Sequence, residues 1–139
     1  MFVIKDKFKL HTLHVILPLV LGIMIYLFIR PNPTIAENII NWKYQPSTQL
    51  YEYTLIKILA GSLPDFFWLY AFLSMLCFIW GGYKNIPFYL LFITYSLPIL
   101  TEILQYFNII FGTGDFFDIL AYIIAIILNK YLLINYQNQ

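Results

Sequence analysis

Four apolar stretches, each long enough to cross a lipid bilayer, dominate this chain of 139 residues. They cover residues 13–30, 63–80, 86–107 and 117–134. A helix of about 17–25 residues spans the ~30 Å hydrocarbon core of a bilayer. Hydrophobic residues make up 61% of the chain and charged residues 11%, and a water-soluble fold of this size could not bury so much apolar surface. We therefore predict an all-α integral membrane protein, a four-transmembrane-helix bundle.

The first apolar stretch also resembles a secretory signal, because Lys5, Lys7 and Lys9 precede it. It is long for the apolar part of a signal peptide, and no small-x-small cleavage site follows it. We interpret residues 13–30 as a retained first span.

Residues 31–62 are less apolar than the rest of the chain. Within them, residues 34–60 favour a short amphipathic helical segment that lies on the membrane surface between spans one and two. Gly61 and Ser62 are expected to end that segment, so that the second span begins near residue 63.

Basic residues indicate the orientation of the bundle, since Lys and Arg concentrate on the cytoplasmic side. Four spans place the N-terminal lysines, Lys84 and Lys130 on the same side, and loop 108–115 on the other side carries no Lys or Arg. Arg30 and the two lysines of segment 31–62 favour the opposite orientation weakly. The balance predicts that both termini are cytoplasmic and that segment 31–62 is extracytoplasmic.

This topology collects most of the polar side chains of the spans near the outer leaflet. We expect a ligand-binding cluster drawn from Arg30, Asp65, Glu102, Gln105, Asp115 and Asp118. A charge inside a span is costly and usually faces the bundle interior, where it finds partners. Glu102 is such a residue, and Gln105 shares its helix face.

A proline adds to the case for a site at Glu102. Pro98 removes the helix hydrogen bond to Thr94, and a kink there favours a cavity beside Glu102. The alternative is a hydrogen-bonded glutamate that only ties helices together.

The other acidic residues have simpler explanations as well. Ser62 and Asp65 have the spacing of a capping box, and Asp115 and Asp118 suit the start of a helix as cap and as dipole partner. Arg30 is also explained as an interface marker. His11 and His14 lie near the cytoplasmic end of span one, where an interfacial role is favoured, and we predict no metal site.

One part of the chain resembles a known family. The residues Glu102-Ile-Leu-Gln105 and Gly112-Thr-Gly-Asp115-Phe-Phe-Asp118, with Leu63-Pro64-Asp65-Phe66 before them, resemble the pattern of the VanZ-like membrane protein family. The resemblance implies a bacterial inner-membrane protein linked to teicoplanin-type antibiotic resistance. Two features depart from the family pattern: the loop before Asp115 lacks an Arg that many members carry, and Tyr122 and Ala125 stand where members have Asn and Gly.

Three functions remain open at this level. The first is a protein that binds a lipid or a cell-envelope, glycopeptide-related ligand in an outward-facing polar pocket. The second is a small intramembrane enzyme acting on a lipid-linked substrate, with Glu102 and Asp118 as general base and acid or as Mg²⁺ ligands. The third is a structural or assembly subunit. The net charge of +1 gives no reason to expect nucleic acid as a partner, and no motif indicates a cofactor.

Overall fold

The computed structural model describes residues 11–29, 53–112 and 114–137, with side chains as far as residue 133. These ranges contain no strand and four main helices: α1 (Thr12–Phe28), α2 (Thr54–Ile79), α3 (Phe88–Tyr106) and α4 (Phe116–Gln137). By length and composition, α2, α3 and Phe116–Leu133 of α4 are able to cross a membrane, and α1 is shorter. The all-helical class is confirmed, while a fourth span at residues 13–30 stays a prediction. Arg30 and most of segment 31–62 lie outside the described residues.

Helix α1 begins with a wide turn. Thr12–Ile16 is π-helical, and Leu17–Phe28 continues as an ordinary α-helix. Pro18 is the second residue after this turn, and a proline cannot donate the hydrogen bond to the carbonyl four residues earlier and crowds it sterically. The wider turn accommodates the proline without ending the helix.

Helix α2 contradicts one prediction. It runs without interruption from Thr54 to Ile79, so Gly61 and Ser62 lie inside the helix and the predicted break is wrong. The capping role predicted for Asp65 is wrong for the same reason. A helical glycine costs about 1 kcal/mol relative to alanine, but Ala60, Ser62 and Pro64 are buried, and that packing outweighs a weak local signal.

Helix α2 lies at the centre of the bundle, packed between α1 and α4, and α3 packs against α4. The ring of His11 stacks on Phe78 near one end of α2, and Gly22 meets Trp68 farther along, so α1 runs antiparallel to α2. A Cβ at Gly22 would lie 3.1 Å from the Trp68 ring, so glycine permits this close approach. Helix α4 runs parallel to α2, as alternating spans require.

Two groups of buried side chains form the core. The first joins α2 and α4 through Leu69, Tyr70, Leu73, Tyr122 and Ala125. The second lies around the turn between α2 and α3 and contains Leu76, Cys77, Tyr83, Ile86 and Leu133. The chain turns tightly at Gly81 and Gly82, where two successive glycines favour a turn, and both have positive φ angles, of 68° and 145°.

Candidate functional site

A groove opens between α2 and α3, and α4 contributes to its floor. Its volume is about 540 Å³, within the range of pockets that hold small molecules. The walls are mostly apolar and include Trp68, Phe72, Leu90, Ile93 and Leu97. Such a surface suits a hydrocarbon chain.

One end of the groove is polar. Asp65, Thr101 and Tyr122 line it there, and the Tyr122 hydroxyl donates a hydrogen bond of 3.2 Å to Asp65 Oδ1. Pro98 also lines the groove, but Glu102, beside which the cavity was predicted, does not. The Thr101 hydroxyl donates to the Pro98 carbonyl at 2.7 Å.

Tyr122 was not among the predicted site residues. It was noted only as a departure from the VanZ-like pattern. Its position four residues after Asp118 places both on one helix face, and that spacing is the signal that could have identified it.

Glu102 has a different environment from the one predicted. Its side chain is only 7% exposed, and its carboxylate accepts a hydrogen bond of 3.2 Å from the backbone N–H of Asp115. It is not among the residues that line the groove. The contact joins the end of α3 to the start of α4, which supports the alternative of a glutamate that ties helices together.

Asp115 caps α4, as predicted by the explanation of this residue as a helix cap. Its Oδ1 accepts a hydrogen bond of 2.9 Å from the Phe117 backbone N–H. In a capping box, a glutamate three residues into the helix accepts the N–H of the cap residue. Here the glutamate that accepts the N–H of the cap residue is Glu102, which lies on α3 and not within α4. Asp118 lies in the first turn of α4, where the helix dipole favours a negative charge.

Gln105 also contacts the loop between α3 and α4. Its Nε2 donates to the Phe111 carbonyl at 3.4 Å. Gly114 lies against the backbone of α3, where a Cβ would come within 2.6 Å of the Glu102 carbonyl oxygen and 2.4 Å of the Tyr106 nitrogen. Glu102 and Gln105 therefore hold this loop in place.

The structure brings most of the predicted acidic residues into one region. Glu102 interacts electrostatically with Asp115 and Asp118, and Tyr122 interacts with Asp65, Glu102 and Asp118. Arg30 lies outside the described residues. Within the described ranges, no group of three His, Cys, Asp or Glu side chains is arranged to hold a metal ion.

The chain has no match among protein-family models, curated proteins or solved structures. Residue chemistry and geometry are thus the basis for inferring its function.

A second polar network, deeper in the bundle, was not predicted. Asn129 is completely buried. Its amide donates to the Tyr70 carbonyl at 3.0 Å and to Ser74 Oγ at 2.6 Å, and its Oδ1 accepts from the Tyr83 hydroxyl at 3.0 Å. Every hydrogen-bonding atom of this amide group has a protein partner, so the network stabilises the packing of α4 against α2 and the following turn. An asparagine inside an apolar run is the signal that could have revealed it.

The network extends to the other helices. The Tyr95 hydroxyl on α3 donates to the Tyr83 hydroxyl at 3.5 Å. Burial raises the pKa of the Tyr83 phenol well above its ordinary value, and its hydrogen bond with Tyr95 raises it further. Tyr83 therefore keeps the proton that it donates to Asn129. His14 on α1 is buried and hydrogen-bonded to the Tyr70 hydroxyl, instead of lying at the surface as an interfacial residue would.

Proposed function

We propose that this protein is a multi-pass membrane protein that binds one amphipathic lipid or lipid-linked envelope molecule. The hydrocarbon chain lies in the groove between α2 and α3, and the polar head lies at Asp65 and Tyr122. The observation that carries the proposal is the groove itself, with mostly apolar walls and a carboxylate and a phenol at one end.

Exposed apolar side chains support the membrane setting. Large hydrophobic residues are exposed along α3 and α4, including Phe88, Phe92, Leu100, Ile124 and Ile127. Soluble monomers rarely expose contiguous apolar patches larger than a few hundred Å². Lipid acyl chains cover such faces without the free-energy penalty of exposing them to water. We therefore place α1, α2, α3 and α4 across the membrane.

The length of the groove fits one chain of a lipid. Along α3 it extends from Leu90 to Thr101, which is about 16 Å at a rise of about 1.5 Å per residue. This is close to half of a ~30 Å hydrocarbon core, the depth of one leaflet. A single acyl or prenyl chain lying along the groove would cover its apolar walls.

The polar end favours particular head groups. Tyr122 lies close to Asp65, Glu102 and Asp118, so a negative phosphate placed directly against it would be repelled. An ammonium or hydroxyl group would instead donate hydrogen bonds to Asp65, and bonds to an ionised acceptor are stronger than neutral ones. The ligand we propose therefore presents an amine or a hydroxyl at this depth.

The resemblance to VanZ-like proteins is compatible with this proposal. The resemblance implies a bacterial inner membrane, and the distribution of Lys and Arg favours cytoplasmic termini, with the polar end of the groove toward the outer leaflet. A link to teicoplanin-type resistance would follow if the bound molecule were a lipid-linked cell-wall precursor. The resemblance remains part of the proposal.

A pair of tryptophan variants tests the groove. Leu97 lines the groove and is 55% exposed, whereas Leu100 lies on the same helix at 53% exposure but does not line it. Leu97→Trp should fill the groove, and Leu100→Trp is the matched control. In native mass spectrometry from lipid nanodiscs, we expect one retained lipid with the unmodified protein and with Leu100→Trp, and several-fold less with Leu97→Trp. Equal retention in all three proteins would exclude the groove as the binding site.

A further inference from the structure

The loop between α3 and α4 presents an unusually apolar surface. Its residues Phe107, Ile109, Ile110 and Phe111 are all exposed, and Phe111 is 104% exposed, as in an extended peptide. Residues 106–114 contain no charged side chain. A water-facing loop of a membrane protein would ordinarily be polar.

The shape of this loop is fixed by hydrogen bonds at its start. Asn108 has a left-handed φ of 56°. Its N–H donates to the Gln105 carbonyl at 2.9 Å, and the Ile109 N–H donates to the Leu104 carbonyl at 2.9 Å. These two bonds form a Schellman motif, which satisfies carbonyl groups at the end of a helix.

A hydrogen bond and a close backbone contact also fix the end of the loop next to α4. Glu102 accepts the Asp115 N–H, and Gly114 packs on the backbone of α3. Gln105 binds the loop carbonyl of Phe111 between these two points. Backbone polar groups of the loop thus bond to side chains of α3, and the apolar side chains of the loop are exposed.

We infer that the described residues of this loop, 107–112, 114 and 115, form a rigid wedge that inserts its apolar side chains into the outer interface of the bilayer. The inference rests on the proposed membrane placement of α3 and α4, but not on a ligand in the groove. Tyrosine is typical of membrane interfaces, and Tyr106, directly before the loop, is exposed.

Continuity identifies the bilayer as the occupant of this surface. Exposed apolar residues continue from Leu100 and Ile103 on α3 through the loop to Phe117 and Leu120 on α4. Whatever covers the helix faces also covers the loop. A protein interface would be expected to have a polar rim around its apolar centre, and the uncharged stretch 106–114 does not supply one.

Depth-dependent fluorescence quenching tests the inference. Cys77 is the only cysteine, so a Cys77→Ala background permits single labels with an environment-sensitive dye at Phe111→Cys, Lys84→Cys or Leu100→Cys. Lys84 is an exposed residue of the turn between α2 and α3 and serves as the water-facing control. In nanodiscs with nitroxide lipids, we expect the label at 111 to be quenched several-fold more than the label at 84, and to be protected from iodide in water.

Iodide access at 111 equal to that at 84, without lipid quenching, would overturn the wedge. The label at Leu100 separates this result from failure of the membrane placement: if residue 100 is also open to iodide, the proposed spans are wrong. Gly114→Ala should bring quenching at 111 toward the level at 84, because the added Cβ displaces the loop from α3. Unchanged quenching in that variant would contradict the role given to the close contact between Gly114 and α3.

Discussion

The carboxylate of Glu102 lies 3.2 Å from the backbone nitrogen of Asp115 and accepts its hydrogen bond. Asp115 in turn caps α4 through the Phe117 N–H. One glutamate near the end of a helix thereby completes the capping of the next helix, and it closes the loop between them. A carboxylate in a span, which is costly alone, is stabilised here by a backbone donor that would otherwise be unsatisfied.

Removing this acceptor should destabilise the fold. Glu102→Ala leaves the Asp115 N–H without its partner, and we expect the free energy of unfolding to fall by about 1–2 kcal/mol, as for loss of a helix cap. Glu102→Gln keeps an oxygen acceptor and should recover most of that loss. Unfolding of the detergent-solubilised protein in SDS measures both variants. If Gln were as damaging as Ala, the hydrogen bond to Asp115 would not be the stabilising feature.

Two glycine variants distinguish close packing from helix propensity. Gly114→Ala places a Cβ within 2.6 Å of the Glu102 carbonyl oxygen, whereas a Cβ at Gly61 meets nothing within 4 Å. We expect Gly114→Ala to cost about 1–3 kcal/mol through overpacking. Gly61→Ala should stabilise α2 by up to about 1 kcal/mol. Thermal unfolding in detergent compares the two, and a loss of stability at Gly61 would contradict the uninterrupted helix.

The buried amide of Asn129 should be among the most sensitive positions in α4. Asn129→Ala removes the partner of the Tyr83 hydroxyl and of Ser74, and each buried group left unsatisfied costs about 1–3 kcal/mol. Lys130→Ala, at the exposed neighbouring position, is the control and should change stability little. If both variants lost similar free energy of unfolding, the stabilising role given to the Asn129 network would be contradicted.

Tyr122 should affect ligand retention more than folding. Tyr122→Phe removes the hydroxyl that donates to Asp65 and leaves the ring in the core. We propose that this hydroxyl orients Asp65 toward the head group, so its loss should weaken lipid affinity about tenfold, which corresponds to about 1.4 kcal/mol. Tyr131→Phe alters an exposed tyrosine and should have no effect. Lipid titration by native mass spectrometry measures both, and unchanged affinity in Tyr122→Phe would remove this residue from the site.

Local patterns in the sequence were sufficient to predict the helices, but not the residue at which α2 begins. Long apolar runs predict helices wherever they occur, and two successive glycines predict the turn at Gly81 and Gly82. The cap at Asp115 was also foreseen, because a cap acts on backbone groups within a turn of itself. These features depend on neighbours along the chain, which a sequence displays directly.

Long-range partners were decided only by the tertiary structure. Gly61 and Ser62 resemble a helix end, yet burial of their neighbours against the bundle carries α2 through them. Glu102 was rightly singled out as a buried carboxylate, but its partner proved to be the backbone of Asp115. Tyr122 reaches Asp65, and Asn129 reaches Tyr83, across more than forty positions of the sequence. The energy of such contacts depends on distance in space, so the amino-acid sequence determined which groups need partners and the packing of the helices determined which partners they have.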